Sequence, residues 1–288
     1  MQISINISAV IFATFVASTC GTPTKIQSRN HTVLEEPQYV ACGGVLTASS
    51  TFISYKPATT ISPNERCVWT IRSPDAVGYS LDILTFALEP QPGETGLTAS
   101  CLRNNSISLS TVDIKASGLV SLNACPILIL TFFSGENILN SKGFVIIYES
   151  ISGGNSGVSQ NSLQYVTNGE KGLIRYPSTV CSTYTNFEVS SFVFTPPGNK
   201  YNPARKSLVT FTLNSFEGNC FDNIRVFRFS PSSGWTHNES IAGDYICDDT
   251  EMESWAVDDM LMLIFRSDSS ITSLGFHLTY NSLPFNFD

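Results

Sequence analysis

The chain of 288 residues is poor in charge, with Asp, Glu, Lys and Arg making up 14%. Basic residues number 16 against 24 acidic, a formal charge of −8. That balance argues against nucleic-acid binding, which needs a basic face to displace counterions. Histidine is nearly absent: His31 precedes the first domain, His237 reads as a loop residue, and His277 sits beside Phe276 on the last strand pattern. No Gly-x-Ser-x-Gly elbow, His-Glu-x-x-His, phosphate loop or Gly-x-Gly-x-x-Gly occurs. A serine-protease triad would need a positioned His, and nothing sets the separation of an acid pair such as Asp248-Asp249 for glycoside hydrolysis. The chain therefore reads as non-catalytic. No stretch beyond the N-terminus approaches 18 apolar residues, so no membrane span is expected. Long 3.6-residue periodicity is also missing. What is present is 42% hydrophobic residues, enough for a core, over a length that allows one large domain or two ordinary ones.

Ile5 to Val16 is mostly apolar and is followed by Ala17, Ser18 and Thr19. The run suits a secretory signal core and is short for a bilayer, although no Lys or Arg precedes it. Residues 1–19 are read as a signal peptide and 20–41 as an N-terminal segment. Cleavage on either side of Cys20 leaves seven or eight cysteines, a number at home in an oxidising compartment. Asn30, Asn104 and Asn238 open glycan-acceptor triplets, weak support for secretion. The expected localisation is extracellular.

The sequence repeats. LTFFSGENILNSKGFVIIY, residues 130–148, matches LIFRSDSSITSLGFHLTY, residues 263–280. Gly143 and Gly275 stand 132 positions apart, as do Tyr148 and Tyr280. Strands ending at Glu89 and Glu217 match at an offset of 128, and Cys101 and Cys125 match Cys220 and Cys247 at 119 and 122. Order persists while loop lengths drift, as duplication of one domain produces. The copies span 42–150 and 165–284. Residues 151–164 between them are rich in Gly and Ser and read as a flexible linker.

Within each copy apolar and polar residues alternate, as in 80–86, 106–111, 144–149, 208–213 and 276–280. Many short alternating runs broken by turn residues predict an all-β sandwich, each strand burying one face and showing a polar one.

Cys42-Gly-Gly, FISYKP, Cys67-Val-Trp-Thr-Ile-Arg-Ser-Pro74, Glu89, Cys101, Cys125-Pro and Ser-x-Gly-Phe follow one another in the first copy. This series resembles the CUB domain, an extracellular antiparallel, jelly-roll-like β-sandwich. The second copy resembles it best from Cys247 to FRSDSSITSLGFHLTY. Spacing alone does not choose among disulfide connectivities. The resemblance implies Cys42–Cys67, Cys101–Cys125 and Cys220–Cys247, each closing about 25 residues and worth about 3 kcal/mol in the loop-entropy account. In the second copy Ser190, and a position near Ser162, stand where the first bridge would be. Cys181 is left over: a bond to Cys20, a bond between chains and a buried free thiol all stay open.

The resemblance also implies a Ca²⁺ site in the second copy only, from Glu217, Asp222 and Asp268, with Tyr184 in support and Asn223 and Ser269 as further oxygens. Asp222 follows Cys220 by one residue fewer than the family pattern. Ca²⁺ takes six to eight oxygens, and three converging carboxylates repel one another without a cation. The first copy keeps Glu89, but Asn104 and Gly135 replace the other acids and its turn lacks the Tyr, so no ion is expected there. Family members with such a site use it to hold a basic side chain of a partner. Residues 239–268 carry nine acids against Arg266 alone, which favours basic partners or simply solvates a face. The expected function is secreted recognition of a protein with exposed Lys or Arg, or of a glycan. Alternatives are a regulator bridging a secreted protease and its substrate, or an effector of seminal fluid, saliva or venom.

Overall fold

The computed structural model describes residues 42–284, except 90–93, 104–105, 139, 180, 218–219, 238–245, 248–251 and 258. The expected signal peptide, Cys20, Asn30, Asn104, Asn238 and most of the acidic stretch at 239–258 lie outside the described residues.

Among the described residues the chain is all-β. Nine strands come first: β1 (Gly44–Leu46), β2 (Ser50–Thr60), β3 (Arg66–Ile71), β4 (Ala76–Phe86), β5 (Gly96–Arg103), β6 (Ser106–Ile114), β7 (Gly118–Asn123), β8 (Ile127–Phe133) and β9 (Lys142–Ser152). Nine more follow: β10 (Gln164–Thr167), β11 (Lys171–Tyr176), β12 (Val189–Phe194), β13 (Arg205–Ser215), β14 (Asn223–Ser230), β15 (Gly234–His237), β16 (Met252–Val257), β17 (Leu261–Arg266) and β18 (Gly275–Pro284). The first set forms sheets ordered β1-β3-β8-β5-β6 and β2-β9-β4-β7. The second forms β10-β12-β17-β14-β15 and β11-β18-β13-β16, the same orders with every label advanced by nine. Neighbours are antiparallel except the edge pairs β1/β3 and β10/β12. His237, expected in a loop, is the last residue of β15 and packs against Phe227.

Each pair of sheets encloses its own core. In the first, Trp69, Tyr79, Phe132, Phe144 and Tyr148 are fully buried. In the second, Phe192, Phe211, Phe265 and Phe276 fill the same role. The Gly-Phe landmark has a steric cause. A Cβ at Gly143 would lie 1.7 Å from the Tyr55 carbonyl oxygen, and one at Gly275 would lie 2.1 Å from that of Tyr176. Gly275 also has φ +72°, which disfavours L side chains.

The expected polar outer face holds for the four-stranded sheets, where β2 and β9 alternate in burial. It fails for the five-stranded sheets. All residues of β3, β8 and β12 are buried, because these two sheets pack back to back. Val68, Ile129 and Phe133 of the first meet Val193, Phe229, Trp235 and Met262 of the second in one apolar cluster. Phe133 and Phe229 pack at 5.2 Å between ring centroids, and Trp235 Nε1 donates to Thr131 Oγ1 at 2.9 Å. Strands covered on both faces lose the inside–outside alternation of burial, and here they also bury Thr70, Thr131, Ser190 and Ser191.

One charge is buried in this seam. Arg66 is 2% exposed. Its Nε donates to Asp259 Oδ1 at 2.9 Å and its Nη2 to Oδ2 at 2.9 Å, while Nη1 donates to the carbonyls of Glu65 and Ser134. A buried guanidinium needs acceptors of this kind, and four of its five N–H groups have them here. The segment expected as a flexible linker is tied down: Val158 is buried in the seam, and the Ser159 carbonyl accepts from Arg72 Nη2 at 2.6 Å. Its Gly and Ser residues turn the chain between two docked bodies.

Candidate functional site

Among the connections that cross between the sheets of the second sandwich are β11 to β12, β13 to β14, and β17 to β18. They share one end, because Tyr176 pairs with Phe276 and Ser215 with Gly275, while Val189 and Asn223 both pair with Arg266. Residues far apart in sequence thus meet at a single loop cluster.

Glu217, Asp222 and Asp268 each bring a carboxylate oxygen to within 4.8 Å of the other two. Asp222 is fully buried. Its Oδ1 accepts the Asp268 N–H at 2.9 Å, and its Oδ2 accepts the Tyr184 hydroxyl. Tyr184 is 1% exposed and stacks edge-on against Phe265 and Phe216. Burial, with the Asp222 bond and charge adding to it, pushes the Tyr184 hydroxyl far above its ordinary value. Burial also raises Asp222, assisted by the Asp268 charge and opposed by the bonds from Tyr184 and Asp268 and by Arg266. Glu217 is raised by desolvation first and then by the charges of Asp268 and Asp222. The two shifts share a cause: several negative charges are held close together away from water.

Asn223 is 6% exposed. Its Nδ2 donates to the Cys220 carbonyl at 3.3 Å, and its Oδ1 has no hydrogen-bond partner among the described residues. A buried carbonyl oxygen without a partner is costly unless something positive meets it. Ser269 is exposed, and its carbonyl accepts from Asn186 Nδ2 at 2.7 Å. The serine that touches the acids is the next one. Ser270 Oγ lies 3.0 Å from Asp268 Oδ1 and 3.3 Å from Glu217 Oε1. Ser270 and Asn186 were not anticipated, and only the family spacing had pointed to Ser269. The three converging carboxylates are a donor set that fits a hard divalent cation.

Behind the cluster lies Glu188, 1% exposed. It accepts from the Tyr176 hydroxyl and from Thr185 N–H and Oγ1–H at 2.7 and 2.6 Å. Burial pushes its carboxyl up to about 7, opposed by Thr185 and assisted by the Asp222 charge. The first sandwich has a corresponding pair, Tyr55 and Glu65, but there Lys56 also donates to the carboxylate.

The matching end of the first sandwich is different. Glu89 is exposed, and Gly135 packs against Glu94. Bridges join Cys42–Cys67, Cys101–Cys125 and Cys220–Cys247, the three pairs the resemblance implied. Cys181 is exposed and disulfide-bonded, so the buried free thiol is excluded. His277 is pushed below its ordinary value by partial burial and by Arg175.

Fold and site together define an all-β protein of two nine-stranded sandwiches, docked back to back, with an acidic loop centre on the second. No protein-family model and no curated protein matches the sequence. Among solved structures, the CUB1-EGF-CUB2 domains of rat MASP-1 align with 83% of this chain and 99% of theirs, at 15% identity and TM-score 0.32. The CUB1-EGF-CUB2 domain of human MASP-1/3 aligns with 82% of this chain and all of its own, at 14% identity and TM-score 0.32. The full extracellular region of zebrafish Gpr126/Adgrg6 aligns with 86% of this chain and 37% of its own, at 13% identity and TM-score 0.33.

Proposed function

We propose that this protein is a secreted, non-catalytic binding protein built from two CUB-like domains. The second recognises a basic partner through a Ca²⁺-organised loop end. The domains correspond to residues 42–150 and 165–284. Glu217, Asp222 and Asp268 are the primary ligands, Asn223 adds an amide oxygen, and Tyr184 orients Asp222. The observation that carries this reading is the convergence of three carboxylates to within 4.8 Å of one another at one loop end. Ca²⁺ would relieve their repulsion and fix three loops, and extracellular modules bind it with Kd of about 10⁻⁴–10⁻³ M. The bound ion would leave the cluster negative, which suits a Lys or Arg side chain from a partner.

Calorimetric titration of the wild type and Asp268→Ala with Ca²⁺ tests the assignment. Uptake of one ion by the wild type and none by the variant is expected. Free Ca²⁺ at about one hundred times Kd should stabilise the wild type by about 2.7 kcal/mol. Equal uptake by both proteins, or by neither, refutes the cage.

A further inference from the structure

We infer that the apolar rim around the acidic centre, formed by Phe187, Phe221, Ile271 and Leu274, docks a protein segment in which Lys or Arg is bracketed by large apolar side chains. This rests on the binding reading above for the charged centre. The rim itself is a separate observation.

Single exposed apolar side chains need no explanation, whereas a group of them does. Eleven large apolar residues are exposed among the described residues, and four lie on the three connections that build the acidic centre. They include both exposed phenylalanines, Phe187 at 55% and Phe221 at 53%. Ile271 is 64% exposed and Leu274 49%.

Their placement follows from the hydrogen bonds around them. Phe187 N–H donates to the Asp268 carbonyl at 2.8 Å. Phe221 directly precedes Asp222. Ile271 follows Ser270, which touches Glu217 and Asp268. Leu274 follows Ser273, whose carbonyl accepts from Tyr184 N–H at 3.1 Å. Of these exposed side chains, Phe187 sits at a position that holds the cluster together, and Phe221, Ile271 and Leu274 stand next to such positions.

The backbone at Phe187 has φ 58°, an uncommon region for a bulky residue. Such conformations persist where the surroundings enforce them. Here they hold a phenyl ring outward beside charge.

Charge selects the occupant. Three carboxylates and one divalent ion leave a net negative centre, on a chain of formal charge −8. Like charge repels an anionic bilayer, while a cationic side chain is attracted. A basic residue flanked by aromatic or aliphatic groups satisfies the centre and the rim together. Large apolar anchors around a charged contact also exclude water from it.

The test uses two synthetic peptides of equal charge, one with Lys between two phenylalanines and one with Lys between two serines. Binding to the full secreted chain is read by fluorescence anisotropy with Ca²⁺ and with EGTA. The wild type should prefer the Phe-flanked peptide about tenfold, or 1.4 kcal/mol. Phe221→Ser and Ile271→Ser should erase that preference while calorimetric Ca²⁺ uptake and melting temperature stay as in the wild type. Phe187→Asn, which tolerates the left-handed backbone, should do the same. Equal affinity for the two peptides overturns the inference, as does an unchanged preference in the rim variants. Rim-dependent sedimentation with phosphatidylcholine–phosphatidylserine vesicles, without peptide preference, overturns it in favour of a membrane. A preference that needs Phe221 but persists in EGTA, in a protein that takes up no Ca²⁺, upholds the rim and refutes the ion.

Discussion

Replacing Asp259 with Ala should separate or unfold the two sandwiches, and the size of the effect follows from the Arg66 contacts. The side chains of Arg66 and Asp259 are 3% and 10% exposed. At an effective dielectric of about 20, unit charges about 4 Å apart attract by about 4 kcal/mol. Desolvation cancels much of that gain, so the intact pair adds little net stability. Removing one partner is different, because Arg66 then stays buried and charged with Nε and Nη2 facing no carboxylate. Such a change costs about 3–5 kcal/mol. For a body of this size that corresponds to a melting temperature lower by about 10 °C. Arg66→Met with Asp259→Leu should recover most of the loss, because the site becomes apolar on both sides. Calorimetric melting measures the stability, and small-angle scattering reads whether the sandwiches remain docked. An Asp259→Ala protein melting with the wild type refutes the argument, as does a double variant no better than the single one.

Glu188→Gln should flatten the pH dependence of stability. The Glu188 carboxyl is raised to about 7 in the fold, so its contribution is full below the unfolded value of about 4.5 and is lost as pH rises through 7, about 3 kcal/mol in all. Urea titrations at pH 5 and pH 8 should show the variant gaining on the wild type at the higher pH; parallel profiles would remove Glu188 as the cause. Gly143→Ala and Gly275→Ala should each destabilise by more than about 3 kcal/mol, because the added methyl meets a backbone carbonyl that cannot withdraw. Soluble, fully folded alanine variants would contradict that. Removing the Cys220–Cys247 bridge by a double Ser substitution should cost about 3 kcal/mol by the loop-entropy account. It should also weaken Ca²⁺ uptake, since Cys220 holds the loop that carries Asp222. Unaltered uptake would separate the bridge from the site.

Much of the fold could be read from residue order. Gly143 and Gly275 mark equivalent strand starts because the same backbone approach recurs behind each. The back-to-back seam left a signal too, in the apolar runs Ile127–Phe133, interrupted by Thr131, and Leu261–Phe265. Such a run reads equally as an ordinary strand in a sandwich core, so periodicity alone does not reveal a second covered face. Asp259 gave no hint of Arg66, since their pairing joins residues 193 positions apart. At the acidic centre the carboxylates were marked by family spacing, but neighbouring serines were not separable. Whether Ser269 or Ser270 turns toward the acids depends on loop dihedrals that residue type does not set. Asn186 and Glu188 offered no pattern at all, because their roles come from the fold of the β11–β12 connection.

Ser162 and Ser190 have a chemical consequence of their own. Val189 N–H donates to Ser162 Oγ at 3.0 Å, and Leu163 N–H to Ser190 Oγ at 2.7 Å. Two hydroxyls thus join chain segments that the first sandwich fastens through Cys42 and Cys67. A thiol reagent that cuts the sulfur staple has nothing to attack at the hydroxyl pair. Under reducing stress the edge seam of one half is therefore vulnerable, while its counterpart stays closed.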